Sequence, residues 1–534
     1  MIKDKKNFGF LFAVFVIGLI TAGGYGVYLD QSLEQEILYM NLKEYLLHLP
    51  GNFTHLISQL TNAGIPEISA SIEMDHGCAV FYPLFPLWYL EKISPYASMV
   101  IRYIYTFLIS FSGICSLYFL GESIFKSKRC GAIMALMFFL SPRMFAEIHY
   151  NNKDVVLLSL CFSLFYFGWK LREELSFKNV FMLAFVGALA ANTKIIGGFF
   201  FGMTGLFVLL YYLLNRKCTL KVWANVFLCI MLFLAIFVAI TPACWNDIVG
   251  YFVYLFNNAI SFTRWNDYVL FRGKPIHHAY TGIPRKYLPT MILLTTPICI
   301  LLMTIVGYLR VFVFSVKTKG KALLEKEGFI LACAITVVVP LMVSIIMATP
   351  VYNGWRHFYF AYSAIIIGAG YCYYWLEKIN VKYALGCASV YLAVLAVGIV
   401  FNYPQEHSYF NVLAGKNMES QYELDYWDVS TREALTWISK TDDNASVGAL
   451  NNPTMWGIYD TIYASPAKVK EKFVVANNWE EAEYIIVNPG YAYLYSVDPY
   501  QYVKENYTLV YQIKSYGNIV NEIYQKSDVI EGTK

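Results

Sequence analysis

The sequence predicts a mainly α-helical membrane protein of about 11 transmembrane helices, with a long first outer loop and a small C-terminal α/β domain. Three observations predict it. The 534-residue chain is 57% hydrophobic and only 15% charged, with a mean hydropathy of +0.47, which is too little charge to cover a soluble protein of this length. Apolar runs long enough to cross a bilayer recur up to residue 402. Lys and Arg alternate from one connection to the next in step with those runs.

In order, the runs lie at about 8–28, 98–120, 131–148, 154–170, 178–196, 198–214, 222–242, 287–310, 328–348, 358–376 and 383–402. The first follows a basic MIKDKK start, is too long for a signal-peptide core and has no small-residue cleavage site behind it, so it reads as a retained span. The fifth and sixth form a tight hairpin around Asn192, Thr193 and Lys194. Alternate connections are basic: Lys3, Lys5 and Lys6; Lys126, Lys128 and Arg129; Lys170, Arg172 and Lys178; Arg216, Lys217 and Lys221; Arg310 to Lys326; Lys378 and Lys382. The intervening short turns hold only Arg143, Lys153, Lys194 and Arg356. Because basic residues stay on the cytoplasmic side, the N-terminus is expected in the cytoplasm of a cell that carries the chain in its plasma membrane. Residues 29–97, 243–286 and 403–534 then lie outside.

Two domains are expected, a polytopic part over 1–402 and an extracytoplasmic α/β domain over 403–534. The tail turns polar and Tyr-rich, with strand-like runs at 446–450, 473–476 and 484–487 and short helices at 430–440 and 498–505. Its aromatic content argues against disorder.

Several function classes are excluded. A net charge of +4 is too small to imply nucleic acid. The 11 cysteines show no CxxC or Cys/His ligand spacing, and the His277-His278 pair lacks a third ligand, so neither a metal site nor a cofactor is expected. Cys78 and Cys244 both fall in outer loops, where they could pair, although two unrelated thiols is the favoured reading. There is no internal repeat and no Gly-rich phosphate loop.

The polar residues that stand out crowd the outer boundary. Asp30 opens the first outer loop, in Asp30-Gln31-Ser32-Leu33-Glu34-Gln35-Glu36. It is a candidate for chemistry, and Asp30 or Ser32 also suits the N-cap of a helix to about Leu49. That helix has Leu33, Ile37, Met40 and Leu47 near one face, as an interfacial helix would; Glu34 and Glu36 read as solvated. Asp75 and His76 are further candidates to face a site. The second outer turn, SPRMFAEIHYNNKD over 141–154, packs Arg143, His149, Asn152, Lys153 and Asp154 between two spans. Charge at the edge of hydrocarbon is costly, so the turn reads either as an anion site with an adjacent acid or as a salt-bridged turn of Arg143 with Asp154 or Glu147. In the NGWRHFYF turn over 353–360, Arg356 and His357 repeat the theme. Arg356 suits a phosphate because its planar fork meets two oxygens; stacking on Trp355 is its plain alternative. Lys194 is a third boundary cation, explained otherwise by snorkelling.

An acid beside several cations at the outer face fits sugar transfer from a polyprenyl-phosphate carrier to a polar acceptor. The carboxylate takes the acceptor's proton, and the cations stabilise the departing phosphate. A transporter or lipid flippase would instead place charges mid-span and often show repeats; a polysaccharide polymerase or ligase shares the lipid-phosphate chemistry. Four segments carry a family resemblance: the acidic first loop at Asp30, the block 141–154, the turn 353–360 and the stretch HSYFNVLAG…YELDYW over 407–427. In these the chain resembles the bacterial C-type glycosyltransferases related to the protein mannosyltransferases and the lipid A aminoarabinose transferase. The resemblance implies an inverting mechanism with Asp30 as base and Asp154 as a second-loop acid. It also implies Arg143, His149, Lys153 and Arg356 around the donor phosphate. Asn152, Lys194, Asp75, His76 and His357, in the same turns and loop, are further candidates for substrate binding. Membrane lipid and a protein, lipid or glycan acceptor would be the partners. One departure is that Asp30 is followed by Gln31 rather than Glu, which weighs against protein as the acceptor. High Tyr, Ile, Asn and Lys usage fits a bacterium of low genomic GC.

Overall fold

A computed structural model of the chain describes residues 5–260 and 266–527. Among these, seven helices are long and apolar enough to cross a membrane: Pro95–Phe125, Asp154–Glu173, Ile196–Leu214, Leu220–Ile240, Ile298–Lys317, Lys326–Met347 and Val381–Asn402. The chain is a multi-pass membrane protein. The remaining apolar runs also form helices, but shorter or broken ones. Lys5–Thr21 and Phe177–Thr193 have 17 residues each, about 25 Å at 1.5 Å per residue. The run 131–148 becomes Lys128–Phe139 and Pro142–Tyr150, bent by 75°, because Pro142 has no N–H to continue the ladder. Pro297 divides 287–310 in the same way, into Tyr287–Thr295 and Ile298–Lys317.

The Asp154–Glu173 helix lies at the centre of the bundle; 83% of its apolar window is buried, against 11% for Leu220–Ile240. Phe227, Ile230, Met231 and Leu234 of the latter stay exposed, as side chains facing lipid do. Gln31–His48 is a helix as expected, but it does not present one apolar face to an interface. Leu33 and Leu47 are exposed, while Gln31, Glu34, Asn41, Lys43 and Glu44 are buried beside Ile37 and Met40. Cys78 and Cys244 are free thiols.

Strands β1 (Tyr268–Phe271) and β2 (Lys274–His277) form a small antiparallel hairpin. The tail folds as a five-stranded sheet of β3 (Ala445–Ala449), β4 (Phe473–Val475), β5 (Tyr484–Val487), β6 (Tyr507–Ser515) and β7 (Asn518–Lys526), in the order β4-β3-β5-β7-β6. β3 runs parallel to β4 and β5, whereas β7 is antiparallel to β5 and β6. The first three strands and the helices Thr431–Thr441 and Val497–Asn506 match the sequence expectation. The β6–β7 hairpin was not foreseen; Tyr516 and Gly517 at its turn have φ of 48° and 81°, the left-handed pair that a two-residue hairpin loop needs.

The tail is seated on the helical part. Tyr426 and Trp427 pack in one buried aromatic cluster with Tyr25, Tyr28, Tyr103 and Tyr150. Leu29 N donates to the Trp427 carbonyl at 3.0 Å, and Arg432 Nη1 donates to the carbonyl oxygens of Gly23 and Tyr25 at 2.9 and 2.6 Å.

Candidate active site

The site forms where the Lys5–Thr21 helix has ended and the Asp154–Glu173 helix begins. Asp30 occupies the N-cap position of Gln31–His48, but its side chain makes no capping bond. The carboxylate instead accepts from Arg356 Nη1 at 3.0 Å and stays 41% exposed. Capping was one expectation for Asp30; the backbone alone starts this helix, with Glu34 N donating to the Asp30 carbonyl at 3.0 Å. A turn delivers Arg356: Asn353 and Gly354 have φ of 55° and 70°, and the chain reverses there into the Arg356–Ala361 turn. The guanidinium lies over the Trp427 ring at 4.3 Å and the Tyr352 ring at 5.1 Å. It does not use its neighbour Trp355, whose Nε1 is committed to Thr295. Burial opposes its charge, but Asp30, Tyr352 and Asp154 together outweigh burial and hold its pKa well above the ordinary value.

Two more ion pairs complete the floor. Lys153 pairs with Glu34, and Lys194 with Asp154. Asn151 Oδ1 accepts from Asp154 N at 2.8 Å, which fixes the acid at the first turn of its helix, where the positive end of the dipole favours it. Lys194 therefore bonds inward rather than snorkelling. Glu34, read above as solvated, is 3% exposed, because Asn152 and Lys153 fold over it; Asn152 Nδ2 donates to Glu34 Oε2 at 3.3 Å. Burial lowers the Lys153 ammonium's pKa, but Glu34 more than restores it. His76 Nδ1 lies 3.0 Å from Lys153 Nζ. His76 and His357 are both held below the usual imidazole range, first by burial, then by Lys153 for His76 and by Lys194 and Arg356 for His357.

Glu73, Asp75 and His76 each place one ligand atom within 4.8 Å of the others, the one such group among the described residues. The Lys153 ammonium already supplies a cation beside it. Asp75 Oδ2 also accepts from Asn258 Nδ2 at 3.4 Å.

Nine of the residues singled out in the sequence thus share one neighbourhood: Asp30, Asp75, His76, Asn152, Lys153, Asp154, Lys194, Arg356 and His357. Arg143 and His149 lie elsewhere. Arg143 Nη1 donates to Tyr426 Oη at 3.3 Å and Nη2 to the Tyr409 carbonyl at 3.2 Å; neither Asp154 nor Glu147 is its salt-bridge partner. It reaches the site through a relay. Tyr426 Oη donates to Glu147 Oε1 at 2.9 Å, and Asn151 Nδ2 donates to Glu147 Oε2 at 2.7 Å and to Asp154 Oδ2 at 3.3 Å. His149 stacks on Phe107, and its ring nitrogens meet the Phe145 and Gly18 carbonyl oxygens at 3.0 Å. It ties the first helix to the bundle. Sequence reasoning missed Glu34, Tyr352 and Trp427 as parts of the site. Only the acidic run around Glu34 and the YELDYW stretch carried any signal for them.

The three cations each hold a carboxylate, and one of those, Asp30, is open to solvent. Such a floor can accept a phosphate by exchanging partners, with a carboxylate left at the mouth.

No family model matches the chain, and no curated protein matches it. The chain is similar in structure to ArnT from Cupriavidus metallidurans bound to undecaprenyl phosphate, at 12% identity and a TM-score of 0.44 over 97% of each chain. It is similar to the same protein in the apo state, at 12% identity and a TM-score of 0.47 over 96% of this chain and 97% of that one. Against the arabinofuranosyltransferase AftD from Mycobacteria it has 12% identity and a TM-score of 0.39, over 97% of this chain and 40% of that chain. Likenesses of this degree leave the side chains above to carry the question of function.

Proposed function

We propose that the chain is a membrane glycosyltransferase that moves a sugar from a polyprenyl-phosphate carrier to an acceptor on the extracytoplasmic side of the membrane. The single observation that carries this reading is the half-exposed Asp30 carboxylate beside a floor of three ion-paired cations, the buried Arg356 and the largely covered Lys153 and Lys194. The donor's phosphate takes the place of carboxylate oxygens on that floor. An acceptor hydroxyl oxygen then forms a bond to the anomeric carbon as the bond from that carbon to the phosphate oxygen breaks. The electron pair leaves with the phosphate, where the cations stabilise it, and the hydroxyl proton passes to Asp30. One such displacement inverts the anomeric centre. The phosphate is a stable leaving group without protonation, so the second acid, Asp154, serves to hold Lys194 rather than to donate a proton. The Lys and Arg distribution supports the extracytoplasmic placement. The membrane part, 1–402, and the tail, 403–534, act as one unit, because Trp427 of the tail covers Arg356.

The test is retention of labelled undecaprenyl phosphate by the purified full chain. We expect wild type to retain it and Arg356→Ala to lose about tenfold in affinity. Equal retention by the two proteins would remove the phosphate role of Arg356.

A further inference from the structure

A cavity of about 400 Å³, lined by apolar and aromatic surface with polar groups set into it, opens on the other flank of the helix that begins after Asp30. Asp30 and Glu34, four residues apart, face the cations; Gln31, Gln35 and Tyr39, also four apart, line this cavity. Its far wall belongs to the tail, through Asp460 and Tyr463 of the Asn452–Tyr463 helix. Its floor holds Trp88 and Glu91. Trp88 is 7% exposed and its Nε1 has no hydrogen-bond partner, although a buried indole N–H ordinarily has one. Glu91 accepts from Tyr39 Oη at 3.0 Å. Neither acid here sits in an ion pair among the described residues, and burial raises the pKa of both Glu91 and Asp460.

We infer that this cavity is the acceptor subsite and that the acceptor is a saccharide. The inference rests on the transferase reading above and names the substrate class it left open. The amides of Gln31 and Gln35, the carboxyls of Glu91 and Asp460 and the idle Trp88 N–H together give both donors and acceptors on a partly aromatic wall. A ring of hydroxyl groups, each donating and accepting, satisfies such a set; an anion does not, because Glu36, Glu91 and Asp460 outnumber Lys92 there. The position also suits the chemistry. Inversion needs the acceptor hydroxyl on the face of the anomeric carbon opposite the phosphate, within reach of the base that takes its proton. The cavity starts at the residue after Asp30, and the cations lie across the helix.

Saturation-transfer NMR tests this on the detergent-solubilised full chain, with a panel of free hexoses, hexosamines and disaccharides at millimolar concentration. At least one sugar should show transfer in wild type and in Asp30→Asn. The signal should fall about fivefold or more in Gln35→Trp, which fills the cavity, and in Asp460→Leu, which removes a polar wall group. Labelled undecaprenyl phosphate is measured on the same preparations, and its retention by both cavity variants shows that they are folded. Retained lipid phosphate with no sugar signal, or with a signal unchanged in both variants, overturns the acceptor subsite and leaves the transferase reading standing. Wild type that fails to retain the lipid phosphate overturns the transferase reading and the subsite with it.

Discussion

Lys153, paired with Glu34, is placed to serve both stability and the proposed phosphate binding. Both are largely buried, and removing one partner of a buried pair costs about 3–5 kcal/mol because the other charge is left without compensation. Lys153→Met should therefore lower the melting temperature of the solubilised protein, and adding Glu34→Gln should recover most of the loss. Lipid-phosphate binding should stay weak in the double variant, since the cation is still missing; recovery of binding together with stability would make Lys153 purely structural. Arg356 offers a second case. Its guanidinium lies within 4.3 Å of the Trp427 ring centroid and 5.1 Å of the Tyr352 ring centroid while holding Asp30, and an ammonium lacks the planar fork that serves both contacts well. Arg356→Lys should raise the donor KM by about tenfold with a smaller effect on kcat; equal loss in both constants would argue for a role confined to the transition state.

Between elements, the Tyr403–Val429 stretch joins bundle to sheet and brings Trp427 onto Arg356. Trp427→Ala removes a partly desolvated cation–π contact worth about 2 kcal/mol, so donor affinity should drop by more than tenfold although no catalytic group is touched. The same junction buries Glu406, whose Oε1 accepts from Tyr25 Oη, and burial pushes its pKa up to about 8. Its unfolded value is near 4.3, so between these values the folded state binds more protons than the unfolded one. Stability then declines as pH rises from about 4.3 to about 8 and levels off above that. Glu406→Gln should remove that share of the decline, gaining more in melting temperature over wild type at pH 8 than at pH 5; an equal gain at both would contradict the shift. At this scale the sequence was informative about elements and silent about their pairing. Apolar runs and alternating strands declared the helices and three of the tail's five strands, because period and length are local properties. Asp30 and Arg356 are 326 residues apart, and nothing local joins them. Arg143 and His149 looked like site residues because they share a turn with Lys153 and Asp154. Pro142 restarts the helix there, and the short Pro142–Tyr150 helix carries their side chains into packing contacts away from the pairs.

For the whole molecule, the central claim is that the bundle and the tail together hold a lipid phosphate on one side of Asp30 and an acceptor on the other. The cations are gathered from three separate turns, and the charge alternation along the sequence is what supports the proposed outer placement of those turns. Asp30, the proposed base, was readable only as an acid at a span's end. The measurement that bears on the claim most directly is single-turnover transfer by the purified full chain, using a labelled polyprenyl-phosphate sugar. Release of free polyprenyl phosphate is followed in wild type and in Asp30→Asn, an isosteric change that keeps a hydrogen-bond acceptor for Arg356. The account predicts that lipid-phosphate retention persists while turnover falls by about 10²–10⁴-fold; an Asp30→Asn variant that turns over at the wild-type rate would contradict it.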